Sequence, residues 1–424
     1  MSRNKQKQRH VKDSFNKKAV KQGQSPDSSI LNDPEPGKMQ KTADPETSSP
    51  LQGAGIKEHA PAVTSSAKKW KSFLFNNRYI FFTFIISLII VLATYILKGI
   101  YPFGKNTILQ VDLFHQYAPY LEEMRHRILS GQSLLYSWEG GLGKDFLSQT
   151  AYYTTSPLNL LIFYFPQKGL PEAIAIFILI KICLAGSSFS WYIQRHFRRS
   201  DLSVTAFGLF YAFCAFVTCY YWNIMWMDTV AVFPFVAMGV EEFVKNDKKV
   251  LYYVSLTLTM IVNFYLAVLV CVLIALYYLV QLFSAYDWKR HRKLMIRRTV
   301  FFGIVSILCA CSSMFILAPV YVALQRTATS ETAFPELTAY SNIWQFAANH
   351  FIGARAAVLA RNEDLPNIYT GVLTMMLLPV YWSDTKEDKR GKILLTSMLV
   401  FMLLCSIIKP LDFMIHGMHF PSNL

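Results

Sequence analysis

Hydrophobic residues in this chain gather into long, nearly unbroken runs, not into the alternating or three-and-four spacing of a water-soluble domain. The first run is Tyr79–Leu97, close to the ~20 residues that a helix needs to cross a bilayer. Others cover about 172–194, 202–221, 229–244, 250–263, 264–284, 299–321, 367–382 and 393–408, so about nine transmembrane helices are expected. The run at 250–263 is short and reads as a re-entrant or tilted segment. The fold expected is therefore an all-α integral membrane protein. Two polar stretches, 98–171 and 322–366, interrupt the apolar runs.

Within the first polar stretch the period changes. Leu113, Tyr117, Leu121, Met124 and Ile128 recur at helical spacing, with Glu122, Glu123, Arg125 and Arg127 largely elsewhere. This predicts an amphipathic helix lying along the bilayer surface. Pro119 either kinks or begins it, and Gly131 is a natural stop.

Charge changes the picture only through its location. The net +15 would suit nucleic acid, but 15 of the Lys/Arg, against 7 acids, lie in residues 1–78. Residues 1–69 are polar, Ser/Pro/Gln-rich and poor in aromatics, so 1–78 is expected to be a disordered basic tail and 79–424 the polytopic domain. Four short loops then carry Arg195, Arg198 and Arg199; Lys245, Lys248 and Lys249; six basic residues from Lys289 to Arg298; and Lys386, Lys389, Arg390 and Lys392. The longer segments between them are sparser in basic residues. Positive-inside sorting then puts the N-terminus in the cytoplasm and the 98–171 loop outside. No nucleic-acid partner is expected; membrane lipids are. All seven cysteines sit in apolar runs and read as small buried hydrophobes.

The first loop also carries the candidate chemistry. Asp112 is either a helix N-cap or a general base at the membrane surface. Lys181, mid-span, either snorkels or partners a phosphate or an intramembrane carboxylate. Asp228 reads as a cap for the span beginning at Thr229, or as a substrate contact. Asn263-Phe264-Tyr265 reads as a polar turn between spans, or as part of a ligand site. Glu241 and Glu242 beside Lys245 read as solvated pairs.

Several motifs run in order through the chain: Asp112-x-x-x-Gln116-Tyr117-x-Pro119, Gly140-Gly141-x-Gly143, Tyr152-Tyr153-x-x-Ser156-Pro157-x-Asn159 and Trp226-x-Asp228. They continue with Asn263-Phe264-Tyr265, Pro366-Asn367-Ile368-Tyr369-x-Gly371 and His416-Gly417-x-His419-Phe420-Pro421. Together they resemble the bacterial YfhO family across about residues 79–424. The resemblance implies a GT-C-like membrane glycosyltransferase. Such an enzyme would move a sugar from a polyprenyl-phosphate carrier to an envelope glycopolymer, such as teichoic acid, outside the cytoplasmic membrane.

In that reading Asp112 matches the essential acid of the first outer loop. The candidate substrate contacts are His115, Gln116, Tyr117, Glu139, Tyr152, Tyr153, Asn159, Lys181, Asp228, Asn263, Tyr265, Asn367, Tyr369, His416 and His419. No cofactor is assigned. Asp412, His416 and His419 leave room for a divalent cation, and no metal ligand is assigned. Family members continue beyond the His-x-His-Phe-Pro motif, so the chain reads as an N-terminal portion or a short variant. A flippase of lipid-linked saccharides and a non-catalytic membrane scaffold are the competing functions.

Overall fold

The computed structural model describes residues 63–326, 333–351, 353, 368–369, 372–385 and 388–418, with side chains from 69 onward. Helices α1 (Val63–Asn76) and α2 (Arg78–Leu97) lead into the first loop; α1 falls inside the segment expected to be a tail. The loop folds as a π-helical turn at Leu113–Tyr117, α3 (Ala118–Ser130), the strands β1 (Tyr136–Ser137) and β2 (Lys144–Asp145), α4 (Phe146–Tyr153) and a 3-10 segment at Pro157–Tyr164. The strands are antiparallel, Tyr136 opposite Asp145 and Ser137 opposite Lys144. The bundle continues with α5 (Leu170–His196), α6 (Leu202–Ala212), α7 (Ala215–Tyr220), α8 (Ile224–Asn246), α9 (Val250–Val262) and α10 (Phe264–Ala285). Then come α11 (Trp288–Ser312), α12 (Met314–Leu324), α13 (Ile343–Ala348), α14 (Val372–Ser383), α15 (Lys389–Cys405) and α16 (Lys409–Ile415).

The burial pattern is that of a protein solvated by lipid. Along α2 the buried positions are Thr83, Ser87, Val91 and Tyr95, while Phe81, Phe82, Ile85 and Ile89 face outward. A water-soluble helix would show the opposite polarity. Small and hydroxylated residues at helix contacts let backbones approach and bond across them. Thr83 and Ser190 hydroxyls lie 2.7 Å apart, beside Gly186 of α5 and Gly208 of α6. The most hydropathic windows of the stretches containing α5 and α8 are 72% buried, against 22% for that of α2. These two helices are the axis, with α2, α6, α9 and α10 packed against them.

Among the described residues, six stretches are long and apolar enough to cross a membrane: Arg78–Leu97, Gln167–His196, Leu202–Tyr220, Ile224–Asn246, Phe264–Ala285 and Trp288–Ser312. Val250–Val262, Met314–Leu324 and Val372–Ser383 are apolar but shorter. The run expected at 299–321 is not one straight helix. It breaks at Ser313, whose hydroxyl bonds back to the Cys309 carbonyl at 3.0 Å, a contact that bends helices. Its helix instead begins earlier, at Trp288.

The basic turns share one end of the bundle. Gln194 and Ser200 reach the Asn76 carbonyl, Arg298 pairs with Asp247 at 2.9 Å, and Arg390 approaches Asp287 at 3.8 Å. Glu241 corrects the expectation of a solvated pair: it is buried. Its Oε1 accepts from Tyr192 and Tyr277 (both 2.8 Å) and from His196 Nδ1 (2.7 Å), and Oε2 accepts from Lys245 at 2.9 Å. Helices α5, α8 and α10 all contribute to this knot, so the carboxylate is sealed by elements far apart in sequence. Glu242 does lie at the surface, paired with Lys248 at 3.1 Å.

At the other end, the first-loop helix starts at Ala118 with Pro119 in its first turn and stops at Gly131, in the left-handed region at φ +67. Its apolar stripe does not face lipid. Leu113, Tyr117, Leu121 and Met124 are buried in the same core as Ile174, Phe177 and Trp222. Ile128 points out, and Arg127 is buried instead. Stacking this stripe on the bundle removes it from water just as a bilayer would, and it also seats the loop as a cap on this end.

Candidate functional site

The cap's inner surface is a row of aromatic rings. Tyr120 stacks on Tyr153 at 4.7 Å, and Tyr153 lies 5.3 Å from Tyr117, which in turn stacks on Trp222 at 6.2 Å and 5°. Tyr152 meets Tyr153 edge-on at 4.7 Å and Tyr265 at 6.4 Å; Tyr265 then meets Trp226 and His416 at 6.4 and 6.3 Å. Polar pins hold the row: Tyr117 Oη donates to Asn223 Oδ1 at 2.8 Å, Tyr153 Oη to Gln116 Oε1 at 3.1 Å, and Trp226 Nε1 to Tyr152 Oη at 3.4 Å. Residues from the first loop, the α7–α8 turn, the start of α10 and the end of α16 thus meet in one place.

Asp112 borders this row. Burial, then the charge of Asp112, pushes the Tyr117 phenol well above its ordinary range. Tyr153 is raised by burial and by Tyr152, Tyr120 and Asp112 in turn. The cap reading of Asp112 is not realised: it precedes the π-turn but its side chain makes no capping hydrogen bond. The turn itself is unusual. Val111 takes φ +50, a conformation that is strained for a β-branched residue. Such strain, and π-turns, gather at functional sites.

Lys181 and Asp228 lie beneath the row and pair with each other. Lys181 Nζ sits 2.7 Å from Asp228 Oδ2 and 3.0 Å from the Ile224 carbonyl, and Ser156 Oγ donates to Asp228 Oδ1 at 2.7 Å. Asp228 is therefore not a cap: α8 starts four residues earlier, after Asn223. Lys181 does not snorkel; it is fully buried. Its partner is the intramembrane carboxylate, one of the alternatives open from sequence.

Asn263 caps α10, its Oδ1 accepting from Leu266 N at 2.8 Å, while its buried Nδ2 has no partner among the described residues. Asn159 is buried beneath the cap and donates to the Thr154 carbonyl at 3.3 Å. His416 Nδ1 lies 3.0 Å from Asp412 Oδ1, and Tyr340 Oη donates to Asp412 Oδ2 at 2.8 Å. Asp412 thus orients the imidazole toward Tyr265.

Other candidates stand apart. His115 is exposed, edge-on to Phe114. Glu139 is an exposed residue that lines a cleft of about 640 Å³ with Glu122, Glu123, Arg125, His126 and Gln167, along the polar face of α3. A hydrogen bond to Glu123 raises the Glu139 carboxyl above its ordinary range. Burial alone would raise Glu123 too, but hydrogen bonds from Glu139, Ser137 and Arg127 bring it down. Tyr369 is half-buried; Asn367 and His419 lie outside the described residues. Among those residues no three His, Cys, Asp or Glu side chains gather as metal ligands.

Sequence reasoning did not single out Asn223, Tyr340, Ser156's bond to Asp228 or Lys144. Lys144 donates to Tyr120 Oη at 3.0 Å, with its ammonium 4.5 Å from the ring centroid. The tight glycine run before it was the available signal.

A lipid-facing apolar exterior, a buried ion pair and an aromatic cap closing one end define a polytopic helical membrane protein with a loop-built polar site. The chain belongs to the YfhO family: the family model described as bacterial membrane protein YfhO matches residues 83–423. No curated protein and no solved structure matches it.

Proposed function

We propose that the protein is a membrane glycosyltransferase of GT-C type. It takes a sugar from a polyprenyl-phosphate carrier and passes it to an envelope glycopolymer such as teichoic acid, at the outer face of the cytoplasmic membrane. The observation that carries this reading is the convergence of Asp112, Gln116, Tyr117, Tyr152, Tyr153, Tyr265 and His416 on one aromatic surface. Aromatic faces suit the apolar faces of sugar rings, and a carboxylate free of capping duty suits a general base.

Asp112 removes the proton from an acceptor hydroxyl. The oxygen attacks the anomeric carbon as the bond to the carrier phosphate breaks, and the phosphate leaves with the electron pair. Lys181 supports this chemistry only indirectly, by holding Asp228, α8 and the Ser156 segment together. That internal pairing also takes away the open intramembrane charge that would have favoured a transport path.

The test is Asp112→Asn in the native host. Removing a general base is worth about 10²–10⁴ in rate, so the surface sugar should fall to background while the protein still reaches the membrane. Normal glycan composition in that variant would remove the base assignment.

A further inference from the structure

We infer that Lys144 is the residue that binds the phosphate of the lipid-linked donor, an assignment that rests on the glycosyltransferase reading above. Four cations in or beside the aromatic cap are neutralised by a carboxylate: Arg125 by Glu122, Arg127 by Glu123, Lys181 by Asp228 and His416 by Asp412. Lys144 forms no ion pair among the described residues. Its ammonium has three donors, and Tyr120 Oη accepts one of them. Gln149 Nε2 donates to the same phenol oxygen at 3.1 Å, so an amide stands beside the ammonium. Tyr120 stacks on Tyr153, whose phenol senses the Asp112 charge. Two stacked rings, Tyr120 and Tyr153, thus link the cation to the side of the cap where the proposed base lies.

The backbone is built to hold it there. Lys144 lies in β2, and the hairpin is anchored to α3 through Arg127, which donates to the Ser133 and Tyr136 carbonyls at 2.8 and 3.0 Å. Ser137, opposite Lys144, donates to Glu123 at 2.7 Å. The turn bends through Gly141 and Gly143 at φ +63 and +103. Gly140 has an ordinary φ, yet a Cβ there would lie 1.8 Å from Lys144 Cε. The missing side chain at 140 is the space through which the lysine folds back onto Tyr120. An ammonium without an ion pair, preorganised on the aromatic row, is a point-charge site for a phosphate.

The experiment uses the full chain in phosphatidylcholine nanodiscs, with bound lipid counted by native mass spectrometry. The probes are a polyprenyl monophosphate, the uncharged polyprenol and phosphatidylglycerol. Wild type should retain the monophosphate over both others. Lys144→Gln should lose that preference by about tenfold or more, and Lys144→Arg should keep most of it. Gly140→Ala, which retains the lysine but fills its space, should fall with Lys144→Gln.

Preference surviving in Lys144→Gln overturns the Lys144 assignment and leaves the glycosyltransferase reading standing. No preference in wild type overturns the assignment together with the phosphate-linked donor. Equal retention of phosphatidylglycerol makes Lys144 a general headgroup contact and overturns the donor assignment.

Discussion

Lys181 and Asp228 meet at 2.7 Å across α5 and α8, and Ser156 closes the pair from the loop above. An ion pair away from water is costly to form but far costlier to break on one side. Lys181→Met should therefore lower stability by about 3–5 kcal/mol, because Asp228 is left charged and alone. The double variant Lys181→Met with Asp228→Leu should recover most of that loss. Thermal unfolding in detergent measures both, and a double variant no better than the single would mean the pair does not act as a unit.

Glu241 holds a different kind of junction at the opposite end. Replacing it with Leu removes the acceptor shared by the Tyr192 and Tyr277 hydroxyls and the His196 imidazole, leaving them only their contacts with one another. Since a polar group that loses its hydrogen-bond partner costs about 1–3 kcal/mol when no other takes its place, and Lys245 loses its carboxylate as well, Glu241→Leu should lower the unfolding temperature. Glu242→Leu, at the surface, should change it little.

Gly239 reports on how closely α8 and α9 approach. A Cβ there would meet the Tyr252 backbone at 2.6 Å, with no flexible side-chain end to yield. Gly239→Ala should cost about 1–3 kcal/mol. Gly303 in α11 has nothing within 4 Å, so Gly303→Ala should gain about 0.5–1 kcal/mol from helix propensity. Opposite signs in paired melts are the expected result.

His416 gives a pH dependence. Burial alone would lower its imidazole, but the hydrogen bonds and charge of Asp412 outweigh burial and hold it above its ordinary value. The folded state therefore favours the protonated ring. Its contribution is complete below about pH 6.5, the ordinary imidazole value, and is lost as pH rises through the raised folded value. The stability gap between wild type and His416→Gln should shrink from acid to alkaline pH. A gap that stays flat would show that the ring's charge contributes nothing.

Much of the architecture was legible from the residues. Apolar runs of bilayer length located helices α2, α5, α8 and α10, because crossing a membrane demands a local property, continuous hydrophobicity. Glycine and proline marked the ends of α3. Basic clusters marked turns that the structure gathers at one end, through Asp247–Arg298 and Asp287–Arg390. The motifs of the first loop supplied the residues that now line the aromatic row.

Other decisions needed the third dimension. The stripe from Leu113 to Met124 has the same spacing whether it covers lipid or protein, and only packing on α5 and the α7–α8 turn assigned it to the core. Asp112 looked equally like a cap or a base, and only its helical backbone and the missing capping hydrogen bond set the cap aside. Glu241, Lys181 and Asp228 carry no local mark of their partners, since those sit on neighbouring helices at separations that no periodicity encodes. Sequence alone determined which segments are apolar enough for a membrane, because hydrophobicity acts residue by residue. Tertiary structure alone decided which charges are neutralised and which, like Lys144, stay without an ion pair, because charge pairing depends on distances across helices.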